Sequence, residues 1–262
     1  MFVGVDFALC LNLAMKLLPS ICVLCLAPLA SCEEKKTEAP PMSEKTLFPG
    51  KERAAAAAAT VRPALERDLS AVGLRFGDPV FIRVFKDEQR LEFFVQNKAT
   101  GKFDLFRTYV IAAASGKPGP KLEEGDWQVP EGFYFVPPEA MNPNSQFHLS
   151  FNIGYPNAFD QALGRTGSAI MVHGNCVSIG CLAMTDAKIE EIYTLCDAAH
   201  HGGQAFFRVH VFPFRMSVEK MKTAAGFEWE EFWKNLREGY DLFGKTHVPP
   251  EVSVEGGRYR FN

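Results

Sequence analysis

From Pro79 onward the chain breaks into short apolar runs, "PVFIRVF", "RLEFFVQN", "FDLFRTYVIAAA", "GFYFV", "FHLSFNI" and "SAIMVHG", each rich in Val, Ile, Phe or Tyr. Alternation of apolar and polar residues in "FIRVF" has the period of a strand, and turn-forming stretches such as "NKATGK" separate the runs as hairpin loops do. So many short strands cannot each bury both faces alone, so they must assemble into sheets around a common core. Helical periodicity returns in "TDAKIEEIYTLCDAAHHG", with Thr185 or Asp186 as the expected N-cap and Gly202 as the stop. A strand, "AFFRVHVFPF", a helix, "EWEEFWKNLREGYDLF", and a Pro/Gly-rich tail, "VPPEVSVEGGRYRFN", complete the chain. The expected class is a β-rich α+β domain.

The N-terminal part is of another kind. Leu17 to Ala30 is an apolar run preceded by Lys16 and ended by "LASC". At 14 residues it is short for a membrane span, which needs about 20. It fits an export signal. Small residues directly before Cys32 resemble the lipobox of bacterial lipoproteins, in which that cysteine is lipidated; cleavage as a plain secretory signal near Ala30 or Ser31 is the open alternative. Asp6 is out of place in the basic start of such a signal, so translation is expected to begin at Met15. The expected organisation is a signal peptide with lipobox over 1–32, a charged tether over 33–53, and a helix over 54–75. On that helix Val61, Leu65, Leu69 and Val72 form one face. A catalytic domain over 76–215 follows, then a C-terminal helix and tail over 216–262. A net charge of −3 leaves no basic footprint for nucleic acid.

Of seven cysteines, Cys10, Cys22, Cys25 and Cys32 lie in the leader, leaving Cys176, Cys181 and Cys196 for the folded part. Three is odd, so in an oxidising compartment at least one thiol stays free, and a retained free thiol points to reactivity. The stretch "MVHGNCVSIGCLAM" concentrates the chemistry. His173 falls at a strand exit and Cys181 is expected just before a helix, with Gly174 and Gly180 permitting the tight backbone between them. An imidazole near a cysteine takes the thiol proton and pairs with the thiolate, while free amides beside the glycine face an oxyanion. A zinc site built on His173, Cys176 and Cys181 lacks a fourth ligand. A disulfide from Cys176 to Cys196 or Cys181 stays open. Neither a metal nor an organic cofactor is expected.

"HGNCVSIGCLAM" resembles the HG…S-x-G-C signature of the YkuD-type L,D-transpeptidases, bacterial enzymes that remodel peptidoglycan through a catalytic cysteine. Upstream, "YVIAAASGKPGPKLEEGDWQVPEGFYFV" is similar to the family segment containing G-D-x-x-T/V-P-x-G-F/Y. "HLSFNIGYPNAFDQALGRTGSAIMVHG" is similar to the YafK-like branch, one member of which acts on the link between peptidoglycan and a covalently bound lipoprotein. The resemblance runs from about Pro79 to Phe214. It implies a β-sandwich or barrel-like domain with flanking helices, Cys181 as nucleophile, His173 as general base, Ser178 and Gly180 as the S-x-G frame, and the Gly174 carbonyl as the group orienting the base. It also implies peptidoglycan stem peptides as partners, with a peptidoglycan-linked lipoprotein as a further one; taken with the lipobox at Cys32, the expected location is the periplasm, anchored to a bacterial membrane by lipid. Most members carry histidine where Ile179 stands and arginine where Ala183 stands, and their loop from histidine to cysteine is longer. Arg165 and Lys117 are the candidates to replace the lost positive charge. His148 is expected to be half-buried and satisfied, with a role at the cleft left open. Three outcomes are compatible with this reading: transfer to an amine, hydrolysis that releases a diaminopimelate-linked peptide or protein, and an inactive binding protein.

Overall fold

The computed structural model describes residues 50–262; the leader, Cys32 and the tether up to residue 49 lie outside them. Helix α1 (Gly50–Ala71) begins four residues before the expected start. Its buried stripe is Ala57, Leu65 and Leu69, with Val61 packed alongside. The helix ends before Val72, which is 59% exposed and does not belong to the stripe as expected. Along the chain follow β1 (Val80–Phe85), β2 (Arg90–Gln96), β3 (Phe103–Val110), β4 (Ala113–Ala114), β5 (Gly132–Val136), β6 (Met141–Asn142), β7 (Ser150–Asn152) and α2 (Ala158–Ala162). Then come β8 (Met171–His173), β9 (Leu182–Ala183), α3 (Asp186–His201), β10 (Phe207–Phe212), α4 (Val218–Thr223), α5 (Glu230–Thr246), β11 (Val252–Glu255) and β12 (Arg258–Phe261).

Two five-stranded mixed sheets result, neither closed into a barrel: β3-β2-β1-β10-β5 and β4-β9-β8-β7-β6. Strand β1 is parallel to β10 and β8 is parallel to β9; the other pairings are antiparallel. Val80, Ile82 and Val84 of β1 and Phe207, Val209 and Val211 of β10 point into a core shared with Phe151, Val172 and Leu182 of the second sheet and with Ile189, Ile192 and Leu195 of α3. The alternate residues Phe85 and Phe212 meet Trp233 and Leu236 of α5, and Phe81 meets Phe243. Strands β1, β2 and β10 of the first sheet are therefore covered on both faces, which explains why they read as nearly continuous apolar runs, whereas the edge strand β3 is half exposed. Burial of this order contributes roughly 1.5–3 kcal/mol per large side chain before the entropy of ordering is deducted.

The C-terminal segment is not a loose tail. It forms the hairpin β11–β12, turned by Gly256 and Gly257 at φ of 57° and 69°, the conformation that a two-residue type I′ turn demands. Tyr259 inserts beneath α5, where its backbone N–H and C=O both bond the Asn235 side chain, at 2.9 and 3.0 Å. Its hydroxyl accepts from Asn157 at 2.9 Å.

His210 of β10 is 1% exposed and lies between the rings of Phe81 and Phe133, at centroid distances of 4.6 and 4.7 Å. Burial holds its pKa well below 6.5, so the folded protein keeps it neutral. The unfolded chain takes up the proton first as pH falls, so the stability tied to this group is present above pH 6.5 and is lost as pH drops. His173, also depressed by burial, acts in the same direction. Below pH 6.5 stability should fall by about 1.4 kcal/mol per pH unit for each imidazole taking up a proton on unfolding. Urea melts of the wild type and of His210→Phe between neutral and mildly acid pH check this. The variant should show the shallower slope, and equal slopes would refute the assignment.

Candidate active site

The parallel pair β8–β9 sets the site. Val172 is in register with Leu182, and His173 with Ala183. Val172 and Leu182 point into the core with no exposed surface. Strand alternation therefore gives the opposite face to Met171, His173, Ala183 and, one residue before β9, Cys181. The Met171 N–H donates to the Cys181 sulfur at 3.4 Å, and the thiol contacts the Ala169 carbonyl at 3.7 Å. Cysteine and histidine thus share one face as diagonal neighbours, with no hydrogen bond joining them.

His173 is fixed on its other side. Its Nδ1 donates to the Gly174 carbonyl at 2.6 Å, which leaves the lone pair on Nε2. The Phe147 ring lies against the imidazole at 4.8 Å between centroids. The segment carrying Phe147 is tied to α1, because Arg53 donates to the carbonyls of Ser145 and His148 at 2.9 and 2.6 Å. Gly174 is required here: a Cβ would come within 2.7 Å of both Asp186 Oδ1 and the Phe147 carbonyl. Asp186, the first residue of α3, accepts from the Asn175 N–H at 2.8 Å and so braces the turn after His173. Thr185 stands at the N-cap position with φ of 73° and makes no side-chain cap. That expected capping role is absent because Asp186 serves the loop instead.

At the other end of the loop Ser178 Oγ accepts from the Cys181 N–H at 2.9 Å and donates to the Cys181 carbonyl at 2.5 Å, closing the turn that presents the sulfur. Gly180 has φ of 93° and donates its N–H to Ser115 Oγ at 2.5 Å. The amides expected to stand free for an oxyanion are thus both bonded to serine hydroxyls.

The electrostatics also differ from the expectation. No helix starts directly after Cys181; β9 follows, and α3 begins only at Asp186. Burial pushes the Cys181 thiol above its ordinary value of 9.0, opposed by the Met171 N–H and by the charge of Lys121. Burial also lowers His173 below 6.5, opposed by its bond to Gly174. At neutral pH the resting pair is therefore a neutral thiol and a neutral imidazole, not the ion pair expected from the sequence.

Of the proposed substrate-binding residues, Arg165 is buried. It bonds Asp160 at 2.8 Å, and its guanidinium lies 5.2 and 5.1 Å from the ring centroids of Phe159 and Phe232. His148 bonds Glu190 of α3 at 2.8 Å. Each is engaged with a carboxylate partner. Lys117 is exposed and lines a groove of about 600 Å³ with Asp126, Gln128, Gly164 and Trp229. The cation whose charge acts on Cys181 is Lys121, which the sequence reading missed. It is 3% exposed and bonded to Asp126 at 2.6 Å and to the Glu123 carbonyl at 2.8 Å. Asp126 also accepts from the N–H groups of Leu122, Glu123 and Gln128. The "EGD" of the upstream motif was the available signal, since an aspartate in a loop rich in turn residues commonly gathers backbone amides.

The segment from Ser115 to Glu131 is anchored from below. Glu131, fully buried, accepts from the Gly119 N–H at 2.6 Å, from Trp233 Nε1 at 2.8 Å and from Lys86 Nζ at 3.1 Å. Lys86 in turn donates to the carbonyls of Gly119 and Val129 at 2.6 and 2.7 Å. Burial lowers the Lys86 pKa, with Glu131 opposing the shift.

All three described cysteines are free: Cys176 is exposed, Cys181 half-buried and Cys196 buried, so neither disulfide left open by the sequence forms. Among the described residues no group of three or more His, Cys, Asp or Glu side chains is arranged to hold a metal ion.

Residues 79–212 match the YkuD family, described as the L,D-transpeptidase catalytic domain. The chain is 43% identical over 183 residues to "Putative L,D-transpeptidase YafK" of Escherichia coli K12, covering 70% of this chain and 74% of the relative. The helical cell shape determining protein Pgp2 from Campylobacter jejuni aligns with a TM-score of 0.42 and 18% identity, over 69% of this chain and 74% of that one. Bdellovibrio bacteriovorus Bd1075 aligns at 0.38 and 19%, over 69% and 78%. With a family match over more than half its length and a relative this similar over most of both sequences, the chain belongs to the YkuD L,D-transpeptidase family.

Proposed function

We propose that this protein transfers acyl groups on peptidoglycan stem peptides through a thioester at Cys181. The observation that supports the reading most is the β8–β9 register, which sets His173 and Cys181 on one face with the Nε2 lone pair of the histidine uncommitted. On this reading Nε2 takes the thiol proton as the sulfur attacks the carbonyl at the L-centre of diaminopimelate, and it returns that proton to the leaving amine. An acceptor amine then releases the thioester and regenerates the thiol. Because the resting pair is neutral, proton transfer accompanies attack rather than preceding it.

Sacculi incubated with purified protein and resolved into muropeptides by mass spectrometry test the proposal. New cross-links formed by the wild type and absent with Cys181→Ala are expected, with the rate falling by at least about 10³-fold on loss of the nucleophile. Release of peptide or protein without new cross-links would assign the thioester to hydrolysis instead of transfer. Full activity in Cys181→Ala would remove the cysteine from the chemistry.

A further inference from the structure

Ser115 directly follows β4, which pairs antiparallel with β9 through Ala113 with Ala183 and Ala114 with Leu182. Continued one step, that register sets Ser115 opposite Cys181, and alternation gives it the face carrying His173. The bond from the Gly180 N–H to its Oγ, 2.5 Å long, joins residues 65 positions apart in sequence. The companion hydroxyl, Ser178, already donates to the Cys181 carbonyl while accepting from the Cys181 N–H. Of the two serines that hold the amides on either side of the nucleophile's turn, only Ser115 has a hydroxyl proton without an acceptor among the described residues. Ser115 opens the segment that the Gly119–Glu131 and Lys121–Asp126 bonds tie down further along the chain, outside the turn that carries Cys181.

Building on the acyl-enzyme reading above, we propose that Ser115 is a catalytic residue, the side-chain donor that stabilises the oxyanion. Its Oγ accepts from Gly180 while its proton bonds the carbonyl oxygen of the scissile amide, and the incoming N–H bond polarises the hydroxyl and strengthens its donation. As sulfur forms the C–S bond and passes its proton to His173, the carbonyl π pair moves onto oxygen, where the Ser115 proton meets it without leaving Oγ. The pair then re-forms the C=O as the C–N bond breaks, and nitrogen takes the proton from His173. The Gly180 amide thus acts through a hydroxyl, extending the site by one hydrogen bond.

The test is single-turnover acylation of the full chain by a disaccharide tetrapeptide containing meso-diaminopimelate, read as intact mass after quenching. Ser115→Ala should slow acylation by about 10²-fold, leave the half-saturating muropeptide concentration unchanged, and melt at the wild-type temperature. Ser115→Thr, which keeps the hydroxyl, should recover most of the rate. Wild-type or faster acylation by Ser115→Ala would overturn the proposal, because the serine would then merely occupy the Gly180 amide. A loss that threonine does not recover would also overturn it, assigning Ser115 a packing role. Failure of the wild type itself to acylate would overturn the thioester reading and this inference together; an unaffected Ser115→Ala beside an active wild type overturns this inference alone.

Discussion

Glu131→Ala should destabilise the protein by about 3–5 kcal/mol, the range for removing one partner of a buried ion pair and leaving the other charge uncompensated. Lys86 is 8% exposed, so its ammonium has little water to turn to once the carboxylate is gone. The same change strips the acceptor from the Gly119 N–H and from Trp233 Nε1, which tie the 115–131 segment to the first sheet and to α5. A fall in melting temperature of about 10 °C is expected for a domain of this size. Replacing both charges, Lys86→Met with Glu131→Leu, should recover a substantial part of the loss, because a well-packed apolar pair carries no desolvation penalty. Thermal melts of the single and double variants decide it, and a wild-type melting temperature for Glu131→Ala would show that the network holds nothing together.

His173→Ala should lower the acylation rate by about 10²–10⁴-fold, the contribution of a positioned general base. Its more diagnostic effect lies in the pH profile. Burial depresses His173 and raises Cys181, so the form with neutral imidazole and neutral thiol fills a broad window. The wild-type profile should be flat across neutrality, falling on the acid side below pH 6.5 and changing on the alkaline side above 9.0. His173→Ala should lose the acid limb along with most of the rate. Thiolate absorbance at neutral pH, seen in the wild type and absent in Cys181→Ala, would instead restore the ion pair that the sequence suggested.

Strands β1, β2 and β10 of the first sheet were legible because both of their faces are buried, so β-branched and aromatic residues fill most positions between turn residues. The hairpin β11–β12 escaped notice for the opposite reason. Its burial pattern leaves Ser253, Glu255 and Arg260 exposed on four-residue strands, and the apolar signal is carried by Val252, Val254, Tyr259 and Phe261, of which Tyr259 alone is buried. The histidine and cysteine could be picked out because they sit in one short glycine-bounded loop. Their protonation could not, since burial is a property of the assembled sheets and not of neighbouring residues. The same holds for Ser115 and Lys121, which reach the cysteine through strand pairing and loop closure over 66 and 60 positions. Arg165 misled for a local reason: its partner Asp160, five residues back, is also the capping-box residue of α2, and the pair closes on itself between two aromatic rings.

The most direct measurement of the central claim is the intact mass of the protein quenched during turnover with the meso-diaminopimelate tetrapeptide muropeptide, followed by peptide mapping. The account predicts a covalent acyl adduct on the peptide containing Cys181, labile to hydroxylamine as a thioester is, and absent from Cys181→Ala. An adduct on Cys176, the exposed thiol of the same loop, or turnover with no covalent adduct alongside an active Cys181→Ala, would contradict it.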